Sequence, residues 1–178
     1  MKKIILGISS SIAAYKACDL IRLFVKQGCS VHVVTTEHAL HLVSPLTLEV
    51  LSGNPVYCDQ YSRDRREMGH IELKQDASLF LVAPATANVI GKFASGIADD
   101  LLSTTFLSVS CPVLIAPAMN PAMYAHPAVR ENIKKLASWG VMFVEPDEGS
   151  VVCGDEGRGR LADIEKIFRT ALDAIGAA

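Results

Sequence analysis

The residues best suited to chemistry lie in a few short loops. In "PAMNPAMYAHP", residues 117–127, the apolar run "PVLIA" passes straight into prolines, two methionines and an asparagine. A plain strand-to-helix turn needs no such mixture, so Asn120 is a candidate to meet a ligand. In "GISSSIAAYK", three serines enter a helix N-terminus, where hydroxyls and free N–H groups suit an anion. Ordinary N-capping uses the same residues. The stretch is neither a P-loop nor GxGxxG, so a single phosphate fits better than a dinucleotide pyrophosphate. "TTEHA" repeats the hydroxyl theme at the end of the next apolar run, and Ser44 is a further candidate for the same pocket.

Three more segments complete the set. In "APATANVIGKFASGIADD" the small Ala83, Ala85 and Ala87 admit a flat ligand to the backbone, while Thr86 and Asn88 offer hydrogen bonds. Small residues there serve close helix–sheet packing equally well. Asp99-Asp100 reads as a helix N-cap followed by a first-turn acid rather than as a metal pair. His70, in "MGHIEL", is a lone histidine, and such a residue is by default structural or solvated. Residues 148–160, "EGSVVCGDEGRGR", set four glycines around Cys153, the composition of a flap that places a thiol over a site.

The elements that must position these loops follow from periodicity. Short β-branched runs at 2–9, 30–36, 78–84, 112–118 and 141–146 read as strands. Helices are expected over 12–27, over 45–53 with Ser44 as N-cap and Pro45 at N1, and as a pair over 86–107 broken at Gly96. Two more follow, one with Pro127 at its start and Gly140 past its end, and one over 162–175. Nearly continuous apolar strands alternating with helices imply a parallel sheet covered on both faces. The expected fold class is therefore α/β: one doubly wound, Rossmann-like or flavodoxin-like domain over residues 1–178. In such sheets ligands bind beyond the carboxyl ends of the strands, where every unusual loop of this chain lies.

Composition narrows the classes. The chain has 178 residues and a formal net charge of -2, with no Lys/Arg cluster, which excludes a nucleic-acid footprint. "RDRRE" at 63–67 mixes signs and reads as a solvated loop. No apolar run is long enough to span a membrane. The five cysteines show neither CxxC nor metal-type spacing with histidine, so no metal site is expected. Their odd number suits reduced thiols and a cytoplasmic setting.

Several of these segments resemble one family. "PAMNPAMY" is similar to the PxMNxxMW motif, and "PATAN" to the PASANT motif, of the homo-oligomeric flavin-containing cysteine decarboxylases. "MGHIEL" and "GSVVCGDEGRGR" resemble the histidine and flap motifs of the phosphopantothenoylcysteine decarboxylase branch. The motifs run in order over nearly the whole chain. Tyr124 stands where the motif often has Trp, and Val89 replaces the final Thr of PASANT, so any flavin contact at Val89 is through its backbone.

The resemblance implies FMN as cofactor. Ser11, Thr36 and Ser44 would hold its phosphate, with Thr86, Ala87, Asn88, Val89 and Ala118 along the isoalloxazine and ribityl chain. Asn120 would grip the substrate carboxylate and amide, and Met119 and Met123 would shape the pocket. His70 would reach the site across a subunit interface of a homotrimer, or of a larger trimer-based assembly. The implied reaction converts 4'-phospho-N-pantothenoylcysteine to 4'-phosphopantetheine in coenzyme A synthesis. The substrate thiol would be oxidised to a thioaldehyde, carbon dioxide lost, and the enethiolate reduced again with Cys153 as proton donor. His70 would handle the thiol proton or position the carboxylate. Lys16 and Arg160 are candidates for the substrate phosphate.

Three rivals are weighed against this. A peptidyl-cysteine decarboxylase would perform only the oxidative half, and the CGD flap argues against it. A flavin prenyltransferase should lack both PAMN and Cys153. A non-catalytic binding relative would carry acidic extensions. Many bacterial versions fuse this domain to a phosphopantothenoylcysteine synthetase, a possible partner, so the chain is expected to be either monofunctional or one part of such a protein.

Overall fold

The computed structural model describes residues 1–61, 69–150 and 156–176. Five parallel strands form its centre: β1 (Lys3–Ile8), β2 (Ser30–Thr35), β3 (Ala77–Ala85), β4 (Val113–Pro117) and β5 (Met142–Phe143). They lie in the order β2-β1-β3-β4-β5. The strands are apolar on both faces because helices cover both. One face buries Ile4, Leu6 and Ile8 against α1 (Ala17–Lys26) and α8 (Ile164–Gly176), where Phe24 and Phe168 meet edge to face at 5.1 Å. The other buries Ile5, Phe80, Val82 and Ile115 under α4 (Ala87–Ser95) and α5 (Leu101–Ser108), whose Phe93 and Phe106 rings stack at 4.0 Å. Gly7 belongs to this second contact: a Cβ there would stand 2.7 Å from Leu102 Cδ1 and 3.1 Å from Val82 Cγ2, so a side chain would force Leu102 to move.

The strand order makes β1 and β3 the switch point. The chain leaves β1 toward β2 on one side, then returns past β1 to build β3, β4 and β5 on the other. Adjacent crossovers therefore diverge above β1 and β3, opening a crevice at their carboxyl ends. This is the doubly wound arrangement expected from the strand and helix pattern.

Five local features depart from the expected elements. The first helix opens as a 3-10 turn, Ile12–Lys16, before α1 begins. A short helix α3 (Gly69–Lys74) carries His70, and a five-residue helix α6 (Pro121–Ala125) precedes α7 (Pro127–Ser138). The fifth strand is two residues long, and Pro146, the next residue whose N–H would face β4 after Val144, has no N–H to continue the ladder. Finally, the glycine-rich segment forms a separate antiparallel pair, β6 (Asp147–Ser150) with β7 (Glu156–Arg160). Helix α2 (Pro45–Ser52) begins as expected, with Ser44 at its N-cap and Pro45 at N1.

Asp99-Asp100 also resolves as a cap, one residue later than expected. Asp100 is the N-cap of α5, accepting from the Ser103 amide at 2.8 Å while Ser103 Oγ accepts from the Asp100 amide. Lys92 pairs with both carboxylates at 2.7 Å. No group of residues suited to a metal ion occurs among the described residues. No helix of the described residues is long and apolar enough to cross a membrane.

Candidate functional site

The crevice is built from the loops that follow β1 to β4. At the switch point the three serines take three different jobs. Ser9 is fully buried; its hydroxyl donates to the Pro84 carbonyl at 2.8 Å and accepts from the Thr86 amide at 2.9 Å. Its own amide also donates to the Pro84 carbonyl, at 3.2 Å. Ser9 thus ties the first loop to the third and is not open to an anion, contrary to the reading of all three serines as a phosphate cradle. Ser11 caps the 3-10 turn, accepting from the Ala13 amide at 3.3 Å, and Ser10 is exposed.

Beside them, Thr36 donates its amide to the Ile8 carbonyl at 3.0 Å, which seats its loop next to Ser9. The Thr36 hydroxyl is buried and has no hydrogen-bond partner among the described residues. A buried hydroxyl left unpaired costs about 1–3 kcal/mol, so an external acceptor is the natural partner for it. Ser44, although an N-cap by position, makes no cap hydrogen bond, and it is exposed.

In the third loop, Thr86 caps α4 by accepting from the Val89 amide at 3.5 Å. Val89 itself is buried in the core beneath α4, so its side chain faces away from the crevice. Ala87 is half-buried and Asn88 exposed at the first turn of α4. Ala118 donates its amide to the Ala85 carbonyl at 2.9 Å, joining the third and fourth loops as Ser9 joins the first and third.

The "PAMN" turn is held from two sides. Asn120 Oδ1 accepts from the Ala122 amide at 2.8 Å and so caps α6, with Pro121 at its first position. Met119 is half-buried against the core, whereas Met123 is exposed on α6. From the other side comes β7. The Met119 amide donates to the Gly159 carbonyl at 2.9 Å. A Cβ on Gly159 would collide with the Met119 carbonyl oxygen and crowd Pro121 N at 3.2 Å. Below the turn, Tyr124 is buried and donates to Glu145 Oε2 at 2.8 Å, with Arg130 over its ring. Burial, then the neighbouring carboxylate, pushes the Tyr124 hydroxyl above its ordinary pKa, so it stays a donor.

Of the remaining candidates, His70 comes from α3 rather than from a strand-end loop. Its Nδ1 is buried and unpartnered among the described residues. Cys153, and the mixed-charge stretch at 63–67, lie outside the described residues. Lys16 is half-buried at the end of the 3-10 turn, and Arg160 is exposed on β7. Sequence reasoning missed the tie through Ser9 and the seat made by Gly159. The serine run and the alternating glycines of "EGRGR" were the only signals, and neither says which atom it will meet.

The crevice therefore offers hydroxyls and a helix start at one end, small residues in the middle, and an amide side chain on a braced turn at the other. Comparison with known proteins adds the following. The chain is 48% identical over 171 residues to the coenzyme A biosynthesis bifunctional protein CoaBC of Bacillus subtilis, covering 96% of this chain and 42% of that protein. It is 46% identical over 164 residues to the CoaBC protein of Escherichia coli, covering 91% of this chain and 40% of that protein. It thus spans about two fifths of the length of these relatives. Among solved structures, one is a PPC decarboxylase mutant complexed with pantothenoylaminoethenethiol, with TM-score 0.89 and 28% identity over 99% of both chains. The FMN-dependent cysteine decarboxylase SpaF has TM-score 0.85 and 30% identity, covering 99% of this chain and 98% of that one. The peptidyl-cysteine decarboxylase EpiD has TM-score 0.83 and 26% identity, covering 97% of this chain and 99% of that one. The Flavoprotein family model matches residues 1–176, and this chain belongs to that family.

Proposed function

We propose that this chain is an FMN-dependent decarboxylase of 4'-phospho-N-pantothenoylcysteine, yielding 4'-phosphopantetheine for coenzyme A synthesis. The observation that carries the reading is the braced Asn120 turn at the edge of a crevice whose opposite end holds the unpaired Thr36 hydroxyl. The CoaBC relatives and the PPC decarboxylase neighbour support the substrate, and neighbours described as FMN-dependent support the cofactor.

The crevice fits an FMN phosphate. Thr36 supplies a buried donor in need of an acceptor, Ser44 a hydroxyl not spent on its own helix, and Ser11 a hydroxyl at a turn start. Thr86, Ala87, Asn88 and Ala118 would line the rest, their small side chains leaving room for a flat ring. Val89 would contribute only backbone, since its side chain is in the core. When bound, the flavin supplies a two-electron oxidant for the substrate and returns the pair afterwards.

What the chain's own residues do follows from their chemistry. Asn120, with its oxygen engaged by the Ala122 amide, is oriented for the substrate carboxylate and amide, and Met119 and Met123 border it. A carboxylate held there leaves as carbon dioxide only once the thiol carbon is oxidised, because the charge then passes into a C=S group. His70 would take the thiol proton or position the carboxylate, and Cys153 would return a proton to the enethiolate. The neighbour solved with pantothenoylaminoethenethiol carries a cysteine-to-serine change, which supports a thiol being needed after the enethiol stage. His70 would serve a neighbouring subunit of a homotrimer, as the resemblance to the flavin-containing cysteine decarboxylases implies. With the four described free cysteines reduced, the reading implies a cytoplasmic enzyme, working with a synthetase that supplies its substrate.

The test is the product mass after incubating flavin-loaded protein with 4'-phospho-N-pantothenoylcysteine, for wild type and Cys153→Ser. Loss of carbon dioxide alone by wild type, and of two further hydrogens by the variant, is the expected pair. Untouched substrate despite bound FMN would overturn the reading, and turnover only of a peptide with a C-terminal cysteine would move the chain to the peptidyl-cysteine decarboxylases.

A further inference from the structure

We propose that Gly157 and Gly159 are positioning residues for Asn120: together they form a side-chain-free face of β7 on which the 119–121 turn rests, backbone against backbone. The inference rests on the reading of Asn120 as the substrate-gripping residue. A Cβ built on either glycine would meet the 119–121 turn, so both face it, although the pairing of β7 with β6 shifts register between Arg158 and Arg160.

Three observations converge on that face. The Met119 amide donates to the Gly159 carbonyl at 2.9 Å, the bond that fixes the height of the turn above the sheet. A Cβ on Gly159 would strike the Met119 carbonyl oxygen and lie 3.2 Å from Pro121 N and 3.3 Å from the Asn120 carbonyl carbon. All three are main-chain atoms, which have no rotamer by which to yield. A Cβ on Gly157 would stand 3.0 Å from Pro121 Cβ, and its φ of +142° is itself unfavourable for any other residue. Gly159 is thus required by what lies across from it, and Gly157 both by that and by its own backbone conformation.

The consequence concerns geometry. Asn120 is already locked below by its cap on α6; β7 locks the backbone above it. A site residue supported on both sides keeps the orientation that substrate binding needs without reordering on each turnover. On the opposite face, Arg158 pairs with Glu148 of β6 at 3.1 Å, so the strand is held from behind while its bare face carries the turn.

The experiment compares wild type with Gly159→Ala, as flavin-loaded protein, in three measurements. Hydrogen exchange followed by mass spectrometry reports on the peptide that contains the Met119 amide. The visible flavin spectrum reports whether the cofactor crevice is intact. The rate with 4'-phospho-N-pantothenoylcysteine gives kcat and KM. We expect at least tenfold faster exchange at residue 119, flavin affinity within about twofold of wild type, and KM raised at least tenfold. Gly157→Ala, which meets a ring carbon that can give but also strains its own positive-φ backbone, should show faster exchange at residue 119 as well, and it stands in if Gly159→Ala does not fold. Unchanged exchange at Met119, or an unchanged KM in a variant that exchanges faster, overturns the proposal. If wild type itself leaves the substrate untouched, the functional reading fails on its own, while the exchange result still decides whether the glycines hold the turn.

Discussion

At the scale of single residues, the contrast between Ser9 and Thr36 is informative, because both are buried hydroxyls at the same edge and only one is satisfied. Ser9 makes two hydrogen bonds that hold the first and third loops together. Ser9→Ala leaves the Thr86 amide without its acceptor, and an unpaired buried group costs about 1–3 kcal/mol. Thermal or denaturant unfolding of the flavin-free protein should record that loss. Thr36→Val is expected to do the opposite. Its hydroxyl has no partner to lose among the described residues, so stability of the flavin-free protein should hold or rise. Flavin affinity should fall roughly tenfold or more, since a hydrogen bond to a charged group is worth about 1.5–3 kcal/mol. Fluorescence titration with FMN measures it, and an unchanged affinity would remove Thr36 from the phosphate site.

At the scale of elements, the start of α5 carries a titration with a definite sign. Burial would raise the Asp100 pKa, but the Lys92 ammonium and the Ser103 amide and hydroxyl outweigh it and hold the carboxyl below its ordinary value. A folded-state pKa lowered in this way stabilises the fold above the ordinary carboxylate range. That contribution is lost as pH falls through the lowered value. Asp100→Asn keeps a good N-cap and removes only the charge. The variant should therefore be less stable at neutral pH by about 0.5–1 kcal/mol, the range for a partly exposed pair. The gap should close in acid. Unfolding midpoints of both proteins at neutral pH and at low pH test this, and a gap that persists in acid would assign the effect to geometry instead of charge.

At the scale of the whole molecule, the proposed trimer makes a prediction that no single chain can satisfy. If His70 of one subunit completes the crevice of the next, His70→Ala and Asn120→Ala variants are each inactive alone. Co-expressed, they should regain part of the activity, because some crevices then hold one intact copy of each residue. No recovery would confine the site to one chain. The strand–helix order, the parallel sheet and the strand-end position of the loops were all legible in the sequence. Hydrophobic period and turn residues are local properties, and they dictate which elements form and how they alternate. The same holds for Asn120 and Thr86, whose neighbours in sequence already mark the ends of strands. Other features were decided only by contacts between segments far apart in the chain. Ser9 is withdrawn from the crevice because Pro84 and Thr86 meet it across the switch point. The glycines of β7 matter because Met119 and Pro121 lie against them. Sequence thus determined the elements and the chemistry available at their ends; tertiary packing decided which of those groups are spent holding the fold and which remain for a ligand.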